Sequence, residues 1–597
     1  MLNLNKNRID YGTQLKPPEG YVLDCGVATS FSVDLETLVA VSMALTLDQT
    51  LEGDLSGEKL AFLESLDRLQ KRLLVFYQSG KVKIPSNFNK LFTLLEPLLV
   101  PVLPGSAFSS FHPKIWVLRF NPLDGKQPVR FRLLALSRNL TFDRSWDIAL
   151  AIDGEAVKQG GNTDNSLLAF MRSLPMNGVQ TEFVEDLCKS MVGVFWGFPE
   201  NFDFMEILPG GLSRQSTTAT VPMVLDDSYD ELMVMSPFVD ADAQSMLAEL
   251  SSLTSGRKTL ISRADTLDRI TAAALEGWEC YSVPAKIVSG EEGAGLPGAL
   301  TQDLHAKLVV TSRGRRATWH VGSANMTNAA FGKPHGHADP RNTEFMVRLS
   351  GENRKVGPAR LIEDWQKNGA FEEHFFSTPG DAPSDTNREL RSLVFQLATA
   401  DWALSAEETE PDIFSLGVSV SPLAIVPPGF TVNVGLLSYA AYRPLAAVIH
   451  WDAIKLSDIS VFLPVEITAI DLGIHEHIVV QARIDLELME ARMKAVFKST
   501  VDSHEKVLTY LSLLLDTENS KSRWLSGHAK KGDGNNIFGM DLRGGLYEQL
   551  LRSASREPRR LERVLLVFDR LSTEGAPLPD GLAAVLSGFR SAPERQI

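Results

Sequence analysis

The sequence holds two histidine–lysine pairs whose spacing suits chemistry on a negatively charged group. His112 and Lys114 lie two positions apart in FHPKIWVLRF, and His305 and Lys307 lie two positions apart in LHAKLVV. Both apolar runs are typical of β-strands, in which residues i and i+2 project from the same face. Buried lysines are rare unless they are paired, so a lysine beside a histidine in two separate strands predicts a shared anion.

Each pair is followed by further polar residues, in the same order, on two more strand-like runs. These are a serine, an asparagine two positions later and then an acidic residue: Ser137, Asn139 and Asp147 in the first copy, and Ser323, Asn325 and Glu344 in the second. The copies are roughly 190 residues apart, and the repeat includes the polar residues themselves. Two occurrences of one four-part order are hard to obtain by chance, so we expect the two copies to face each other in one site.

Such a site would supply what the cleavage of a phosphodiester requires. Four donors would stabilise charge on the phosphate oxygens, namely Lys114, Lys307, Asn139 and Asn325. One imidazole would attack phosphorus and form a covalent intermediate, and the other would protonate the leaving oxygen.

Acidic residues would position the two imidazoles. A carboxylate bonded to the far ring nitrogen, Asp147 or Glu344, would fix each tautomer and stabilise the imidazolium form. This chemistry requires no metal and no cofactor, and no HExxH-like motif or carboxylate cluster indicates a metal. We interpret His320, His335 and His337 as strand and loop residues.

The elements that must position these residues indicate an α/β fold. YVLDCGVATSFS predicts a strand, and DLETLVAVSMALTL predicts a helix with Asp34 as its cap. The second copy repeats this plan from YDELMVMSPFVD onward, with ATSFS in the first copy corresponding in position to MSPF in the second. Strands separated by helices in both copies predict two α/β halves with the polar set late in each.

We divide the chain into six segments on composition and pattern. They are a leader (1–20), a first α/β half with a helical insert (21–209), a second α/β half (221–378), a Pro- and Gly-containing linker (379–409), a β-rich sandwich-like domain (410–485) and a helical C-terminal region (486–597). We expect no catalytic constellation beyond residue 380.

Bulk composition narrows the class of protein. The 597 residues are 44% hydrophobic and 22% charged, which is ordinary for a soluble globular protein. No run approaches the roughly 18 apolar residues of a membrane span, and the N-terminus lacks the apolar core of a signal peptide. The three cysteines are too few and too scattered for a disulfide framework or a zinc site. We therefore expect a cytoplasmic protein.

The charge balance bears on nucleic-acid binding. A net charge of −15 disfavours nonspecific electrostatic binding of nucleic acid by the whole surface, although it allows a local basic groove. Arginines occur near both motifs and could line such a groove: Arg130, Arg132, Arg138 and Arg144 in the first, and Arg313, Arg315 and Arg316 in the second. The alternative is that they are solvated loop and strand-end residues.

In these motifs the chain resembles the phospholipase D superfamily, whose members carry two HxK…(S)xN motifs in a pseudo-twofold α/β fold. The resemblance covers roughly residues 20 to 350. It implies that His112 is the nucleophile and His305 the general acid. It also implies that Asp147 and Glu344 orient the histidines, and that the remaining motif residues bind phosphate: Lys114, Asn139, Lys307 and Asn325, supported by Ser137 and Ser323. From the arginines beside the motifs, we expect Arg138 and Arg315 to bind substrate.

The chain departs from the common family pattern at several positions. Many members have an aspartate five positions after the motif lysine, where this chain has Arg119 and Ser312. That absence is similar to the tyrosyl-DNA phosphodiesterase branch and to some bacterial nucleases. The first motif also has SRN where GSxN is usual, and Pro113 separates its histidine and lysine.

Three functions fit these features. The first is a metal-independent nuclease that acts on DNA rather than RNA through a phosphohistidine intermediate, in bacterial restriction or phage defence. The second is a phospholipase or phosphatidyl transferase, which the missing secretion signal and the missing amphipathic membrane helix disfavour. The third is a non-catalytic phosphate-binding assembly subunit. The expected partners are nucleic acid, an ATPase, helicase or other defence-system subunit, and a second copy of the chain; we expect no membrane partner.

Overall fold

The computed structural model describes residues 11–47, 59–85, 87–141, 145–211, 222–283, 303–334, 338–376, 386–515, 546–556, 558–573 and 575–590. These residues form a mixed α/β fold with two large sheets, a β-sandwich and a C-terminal set of helices. The first ten residues of the predicted leader lie outside the described residues, as do Arg144, His335 and His337.

The first large sheet belongs to the first half of the chain. Strands in this half are β1 (Tyr21–Ser30), β2 (Val33–Asp34), β3 (Leu73–Gln78), β4 (Val82–Lys83), β5 (Leu99–Val102), β6 (Ile115–Pro122), β7 (Arg130–Leu136), β8 (Ser145–Trp146), β9 (Ala149–Ala156) and β10 (Val194–Trp196). The seven-stranded sheet has the order β10-β9-β7-β6-β1-β3-β5. Helices in this half are Tyr11–Leu15, Leu35–Leu47, Lys59–Leu69, Asn165–Ser173 and Gly178–Met191, with a 3-10 helix at Lys90–Leu98.

The second large sheet repeats that order. Its half contains β11 (Phe202–Gly210), β12 (Glu231–Met235), β13 (Lys258–Ile261), β14 (Trp278–Ser282), β15 (Asp303–Leu304), β16 (Leu308–Arg313), β17 (Arg316–Gly322), β18 (Glu344–Glu352) and β19 (Glu372–Glu373). The order is β11-β18-β17-β16-β12-β13-β14-β19. Helices are Met246–Ser252, Ala264–Arg269, Asn328–Phe331, Asn353–Val356 and Pro358–Lys367, with a 3-10 helix at Ala272–Leu275.

One strand corrects the predicted boundary between the halves. Residues Phe202–Gly210, assigned from sequence to the first half, pair antiparallel with β18 at the edge of the second sheet. Ile207 of this strand is 2% exposed and joins the core shared by both sheets. The strand therefore completes the second sheet, where it matches the position of β10 in the first.

The facing sides of the two sheets share a single apolar core. Val117 and Ile152 of the first sheet and Val310 and Val347 of the second are all buried in it. The same core includes apolar residues of the helices Asn165–Ser173, Gly178–Met191 and Pro358–Lys367. Alternation along each strand places one face of each sheet in this core. The two halves are therefore packed as one body around the site.

The sandwich begins earlier in the chain than the sequence indicated. Its strands are β20 (Asp401–Glu410), β21 (Ile413–Ser421), β22 (Thr431–Leu436), β23 (Tyr439–Pro444), β24 (Val448–Lys455), β25 (Phe462–Ala469), β26 (Ile474–Gln481) and β27 (Arg483–Ile484), in two four-stranded sheets. A helix, Thr386–Thr399, precedes them and buries Leu393 and Leu397 in the sandwich core. The prediction of a linker over 379–409 is thus wrong from Thr386 onward, because apolar residues at helical spacing outweigh the polar start of the segment.

The C-terminal helices pack against the first half. They are Leu486–Thr500, His504–Leu515, Tyr547–Arg556, Pro558–Thr573 and Leu582–Arg590. A buried ion pair joins Arg492 to Glu96 at 2.5 Å, and Ser460 of the sandwich donates a hydrogen bond to the same carboxylate at 2.8 Å. None of the helices in the described ranges combines the length and apolar character needed to cross a bilayer.

A buried histidine on β17 predicts how stability changes in acid. His320 is 1% exposed, and among the described residues neither ring nitrogen has a hydrogen-bond partner. Burial, with a contribution from Arg348, lowers the pKa of His320 from 6.5 to about 3. Below about pH 6.5 His320 binds a proton in the unfolded chain but not in the folded chain. The free energy of unfolding therefore decreases as the pH is lowered from about 6.5 towards 3, by up to about 1.4 kcal/mol per pH unit.

Replacement of His320 should remove this dependence. Between pH 7 and pH 5 the free energy of unfolding of the wild type should fall by about 2 kcal/mol more than that of a His320→Leu variant. Urea-induced unfolding of both proteins at the two pH values measures the difference. If the free energy of unfolding changed equally with pH in the two proteins, His320 would bind its proton as readily in the folded chain as in the unfolded chain.

Candidate active site

Strand pairing between the halves brings the two motifs together. The backbone N–H of His112 donates to Thr343 O at 2.9 Å, and that of His305 donates to Trp146 O at 2.9 Å. Thr343 directly precedes Glu344, just as Trp146 directly precedes Asp147. Each histidine is therefore held beside the acidic residue of the other half, and neither half contains a complete set by itself.

The structure decides which carboxylate orients His112. Glu344, from the second half, accepts a hydrogen bond at its Oε2 from His112 Nδ1 at 2.9 Å, and its side chain is fully buried. Ser323 Oγ donates to the same oxygen at 2.5 Å, and Asn342 Nδ2 donates to Oε1 at 3.1 Å. Although burial alone would raise the pKa of Glu344, its contacts with His112 leave that pKa below the ordinary value. An ionised carboxylate thus fixes His112 with Nε2 as the nitrogen that can attack.

Asp147 occupies the matching place beside His305. Its Oδ1 accepts from Ser137 Oγ at 3.0 Å, and its Oδ2 accepts from Ser145 Oγ at 2.7 Å. Burial raises the pKa of Asp147, while the Ser145 hydrogen bond and the positive charges of Arg138, Lys307 and His305 oppose that rise. Asp147 of the first half is therefore close enough to His305 of the second half for their charges to interact.

Both motif lysines are buried between the halves. Lys114 is 3% exposed and donates from Nζ to His112 O at 2.8 Å. Lys307 is 4% exposed and donates to His305 O and, across the halves, to Ser137 O at 3.3 Å. Burial lowers the pKa of Lys114 well below its usual value, and the nearby charge of Lys307 adds to this effect. Two buried ammonium groups that repel each other create a place for an anion.

The motif asparagines retain unused hydrogen-bonding capacity. Within the described part of the chain, the side-chain oxygens of Asn139 and Asn325 are buried and have no partner. Buried polar groups are normally satisfied, so an unpartnered amide at the same place in both halves indicates a ligand-facing position. Donation to a phosphate would use the Nδ2 groups of these amides, so the role of both residues as phosphate donors stays a prediction.

The serines differ from the prediction that they bind substrate. Ser137 and Ser323 donate to Asp147 and Glu344, respectively, and accept from the backbone N–H of Ile148 and Phe345 at 2.9 Å. A hydroxyl has one proton to donate, and each of these protons is given to a carboxylate. The structure therefore gives the serines a positioning role behind the acids.

Arg315 is far from the site, which corrects its predicted role in substrate binding. Lys307 precedes β16 and Ser323 follows β17, whereas Arg315 lies in the exposed turn between these two strands. Six residues of strand separate the turn from the site by roughly 20 Å. An antiparallel hairpin places its turn at the end opposite to the motif, and sequence proximity did not indicate this.

Most of the other arginines near the motifs also lie at strand ends that point away from the site. Arg130 and Arg132 lie at the start of β7, opposite to Ser137, and Arg132 pairs with Asp153 at 2.6 Å. Arg316 pairs with Asp203. Arg138 alone among the described candidates is at the site, with its Nε 3.9 Å from Asp147 Oδ2. Among the described arginines, only Arg138 could therefore contribute to the predicted basic groove.

Two aromatic residues border the site and were not predicted. Phe31 packs edge-on against His112 with 5.5 Å between ring centroids, and Lys81 Nζ lies 5.8 Å from the Phe31 centroid. In the second half, Phe238 directly precedes Val239, which forms a β-bridge with Met326 next to Asn325. Phe238 is 48% exposed, and the Arg263 guanidinium lies 5.4 Å from its centroid. These rings follow β1 and β12, which occupy matching positions in the two sheets. The correspondence of ATSFS with MSPF was the available signal.

Asn342 is a third functional residue that the sequence reasoning missed. It hydrogen-bonds Glu344 from two positions earlier, and its Oδ1 accepts from the backbone N–H of Ser110 at 3.0 Å. Ser145 stands two positions before Asp147 and makes the equivalent contact. A polar residue two positions before the acid, in both copies, was the signal in the sequence.

The pKa of His112 predicts the acidic limb of the pH–rate profile. Burial lowers the pKa of His112 from 6.5 to about 4; Glu344 opposes this effect, and Lys114 and Lys307 reinforce it. A nucleophilic imidazole must be unprotonated, so kcat/KM should remain level down to about pH 5 and fall as the pH passes through about 4. Initial rates on an aryl phosphodiester from pH 3.5 to 8 would test this, with recovery of activity at pH 7 as the control for unfolding. A limb centred near 6.5 would contradict it.

Comparisons with known proteins yield distant structural neighbours. No protein-family model matches the chain, and no curated protein matches it. A solved structure of a mutant yeast tyrosyl-DNA phosphodiesterase aligns at 10% identity and a TM-score of 0.36, over 58% of this chain and 85% of that one. Polyphosphate kinase from Porphyromonas gingivalis aligns at 10% identity and a TM-score of 0.30, over 64% of this chain and 50% of that one. At TM-scores this low we base no argument on the alignments.

Proposed function

We propose that this protein is a phosphodiesterase that cleaves its substrate through a covalent phosphohistidine at His112. The observation that carries the proposal is a hydrogen bond between the two halves. The fully buried Glu344 of the second half accepts it at 2.9 Å from Nδ1 of His112 in the first half. We call this pairing of a histidine with the carboxylate of the other half the crosswise relay. A structural histidine needs no buried carboxylate with three hydrogen bonds, whereas a nucleophile needs a defined tautomer.

The reaction would proceed in two displacement steps. His112 Nε2 attacks phosphorus, the bond from phosphorus to the leaving oxygen breaks, and His305 gives that oxygen its proton. Water then attacks the phosphohistidine while His305 takes the proton from the water, so that the N–P bond breaks and a phosphomonoester leaves. Lys114, Lys307 and the two motif asparagines stabilise the charge on the non-bridging oxygens in both steps.

A nucleic acid, and DNA in particular, is the substrate that we propose. The support comes from the aromatic and cationic residues that border the site, Phe31 with Lys81 and Phe238 with Arg263. Aromatic rings next to cations suit unstacked bases joined by phosphates. A role in bacterial restriction or phage defence, with a partner ATPase or helicase, is an extension of this proposal by analogy with the superfamily.

A substrate panel tests the proposal. The purified protein would be incubated in EDTA with labelled single-stranded DNA, double-stranded DNA, RNA and phosphatidylcholine, beside His112→Ala and His305→Ala variants. We expect cleavage of DNA by the wild type only. Turnover of phosphatidylcholine without cleavage of nucleic acid would replace the nuclease by a phospholipase. Wild type and variants that are equally inactive on every substrate would favour a phosphate-binding assembly subunit.

The bordering residues can be tested separately from the chemistry. A Phe238→Ala variant should raise KM for an oligonucleotide by about tenfold, since stacking on an aromatic side chain contributes roughly 1–3 kcal/mol per base. Its kcat/KM on a small aryl phosphodiester should be unchanged. An equal loss on both substrates would show that Phe238 supports the fold and does not bind a base.

A further inference from the structure

We infer that the sandwich domain carries a binding site for a divalent transition-metal ion of the zinc class, formed by Glu466, His475 and His477. One ligand atom from each of these residues lies within 4.8 Å of the other two. The site is separate from the phosphodiesterase residues, and the inference does not depend on the proposed function.

The strand register brings the three side chains together. His475 and His477 are two positions apart on β26, so their imidazoles project from the same face. Their ring centroids are 4.6 Å apart. Glu466 on β25 is the direct cross-strand partner of His477, and its Oε1 lies 2.9 Å from His475 Nε2. Ligand atoms around a tetrahedral zinc ion are roughly 3.3 Å apart, which small side-chain rotations would provide.

A neighbouring strand supplies outer support for the carboxylate. Asn433 on β22 is the cross-strand partner of Glu466, and its amide is placed beside that carboxylate. Metal-binding carboxylates are commonly held by such a partner, which fixes the oxygen that faces the ion.

The ligand types select the class of ion. Two imidazoles with one carboxylate suit zinc and its first-row neighbours, whereas magnesium and calcium prefer sets made only of oxygen atoms. Three protein ligands leave a fourth position for water or another ligand. His475 is 62% exposed on its side chain, so an ion can reach the site from solvent without unfolding.

The site lies on the face of β26 that meets the first half. Val479, two positions beyond His477, forms β-bridges with Gly80 and Lys81 and is buried in the core of the first half. An ion that joins β25 to β26 would therefore stabilise the strand on which the sandwich contacts the catalytic halves. We expect bound zinc to raise the melting temperature of the full chain.

Metal titration of the full-length protein tests the inference. Protein stripped with chelator and dialysed would be titrated with ZnCl₂ by calorimetry, and the bound metal would be counted by mass spectrometry. His477→Ala and Glu466→Gln variants should bind one ion fewer, or bind zinc at least about tenfold more weakly. A His450→Ala variant, which removes an exposed histidine on β24 outside the cluster, should behave as the wild type.

The outcomes separate a built site from general histidine binding. Equal melting temperatures of the metal-free proteins would show that the substitutions leave the fold intact, as expected for partly exposed side chains. The visible spectrum of bound Co²⁺ should be lost in His477→Ala and kept in His450→Ala. Zinc stoichiometry and affinity that are the same in all four proteins, within threefold, would overturn the inference.

Discussion

Replacement of His112 by alanine is expected to reduce phosphodiester cleavage by roughly 10⁴-fold or more, the size of loss seen when a catalytic nucleophile is removed. His112 is the histidine whose tautomer is fixed by a buried carboxylate, and its low pKa keeps the ring unprotonated at neutral pH. We do not expect His305 to take its place, because the backbone N–H of His305 is bonded to Trp146 O, beside Asp147 and away from Glu344. Initial rates on an oligonucleotide and on an aryl phosphodiester measure the loss.

A His305→Asn variant makes this prediction specific to a covalent step. On an aryl phosphodiester with a good leaving group, the first displacement does not need an acid, but the second needs a base to activate water. The phosphohistidine should therefore accumulate, and intact-mass spectrometry followed by peptide mapping should find it on His112. The His450→Ala variant serves as the matched control. A phosphorylated His305 in the His112→Ala protein would reverse the two roles.

Neutralisation of Glu344 is expected to have the second-largest effect. A Glu344→Gln variant should lose about 10³-fold to 10⁴-fold in kcat, as when the acid of a catalytic triad is replaced by its amide. The amide has no negative charge to stabilise the histidine, and its NH₂ group would face a donor in place of one carboxylate oxygen, because both oxygens of Glu344 accept hydrogen bonds. The loss should be similar on good and poor leaving groups, because Glu344 acts on the nucleophile.

Asp147 should show a different dependence on the leaving group. In kcat/KM, which reports the first displacement, an Asp147→Asn variant should be impaired on an oligonucleotide, whose alkoxide needs a proton, and much less impaired on an aryl phosphodiester, whose leaving group does not. A Glu352→Gln variant, at the far end of the strand that begins with Glu344, is the matched control. If Asp147→Asn lost activity equally on both substrates and Glu344→Gln only on the oligonucleotide, the crosswise assignment would be wrong.

The crosswise arrangement also explains why the two halves form one body. Each half contributes the histidine of one relay and the carboxylate of the other, and Lys307 reaches across to Ser137 O. The apolar core between the sheets fixes this relation, because close-packed interiors allow little relative movement. Separation of the halves would leave each histidine without its carboxylate.

Local patterns in the sequence indicated most of the strands and helices of the two halves. The apolar runs IWVLRF and LVV indicated β6 and β16, and such runs are local signals that need no partner. The prediction that the His–Lys pairs lie within these strands was wrong, because β6 begins at Ile115 and β16 at Leu308. The cap at Asp34 is equally local, and its side chain accepts from the backbone N–H of Glu36 at 3.0 Å. The linker prediction failed from Thr386 onward because the segment begins with polar residues, although Leu393 and Leu397 are at helical spacing.

The sequence by itself determined which residue types form the site and that they occur twice in the same order. The tertiary structure alone decided that Glu344 serves His112, that the serines hold the acids, that Phe202–Gly210 completes the second sheet and that Arg315 is remote. The physical reason is distance along the chain. Spacing within a strand fixes which side chains share a face, but the register between segments 232 residues apart is set by the packing of two sheets around one core.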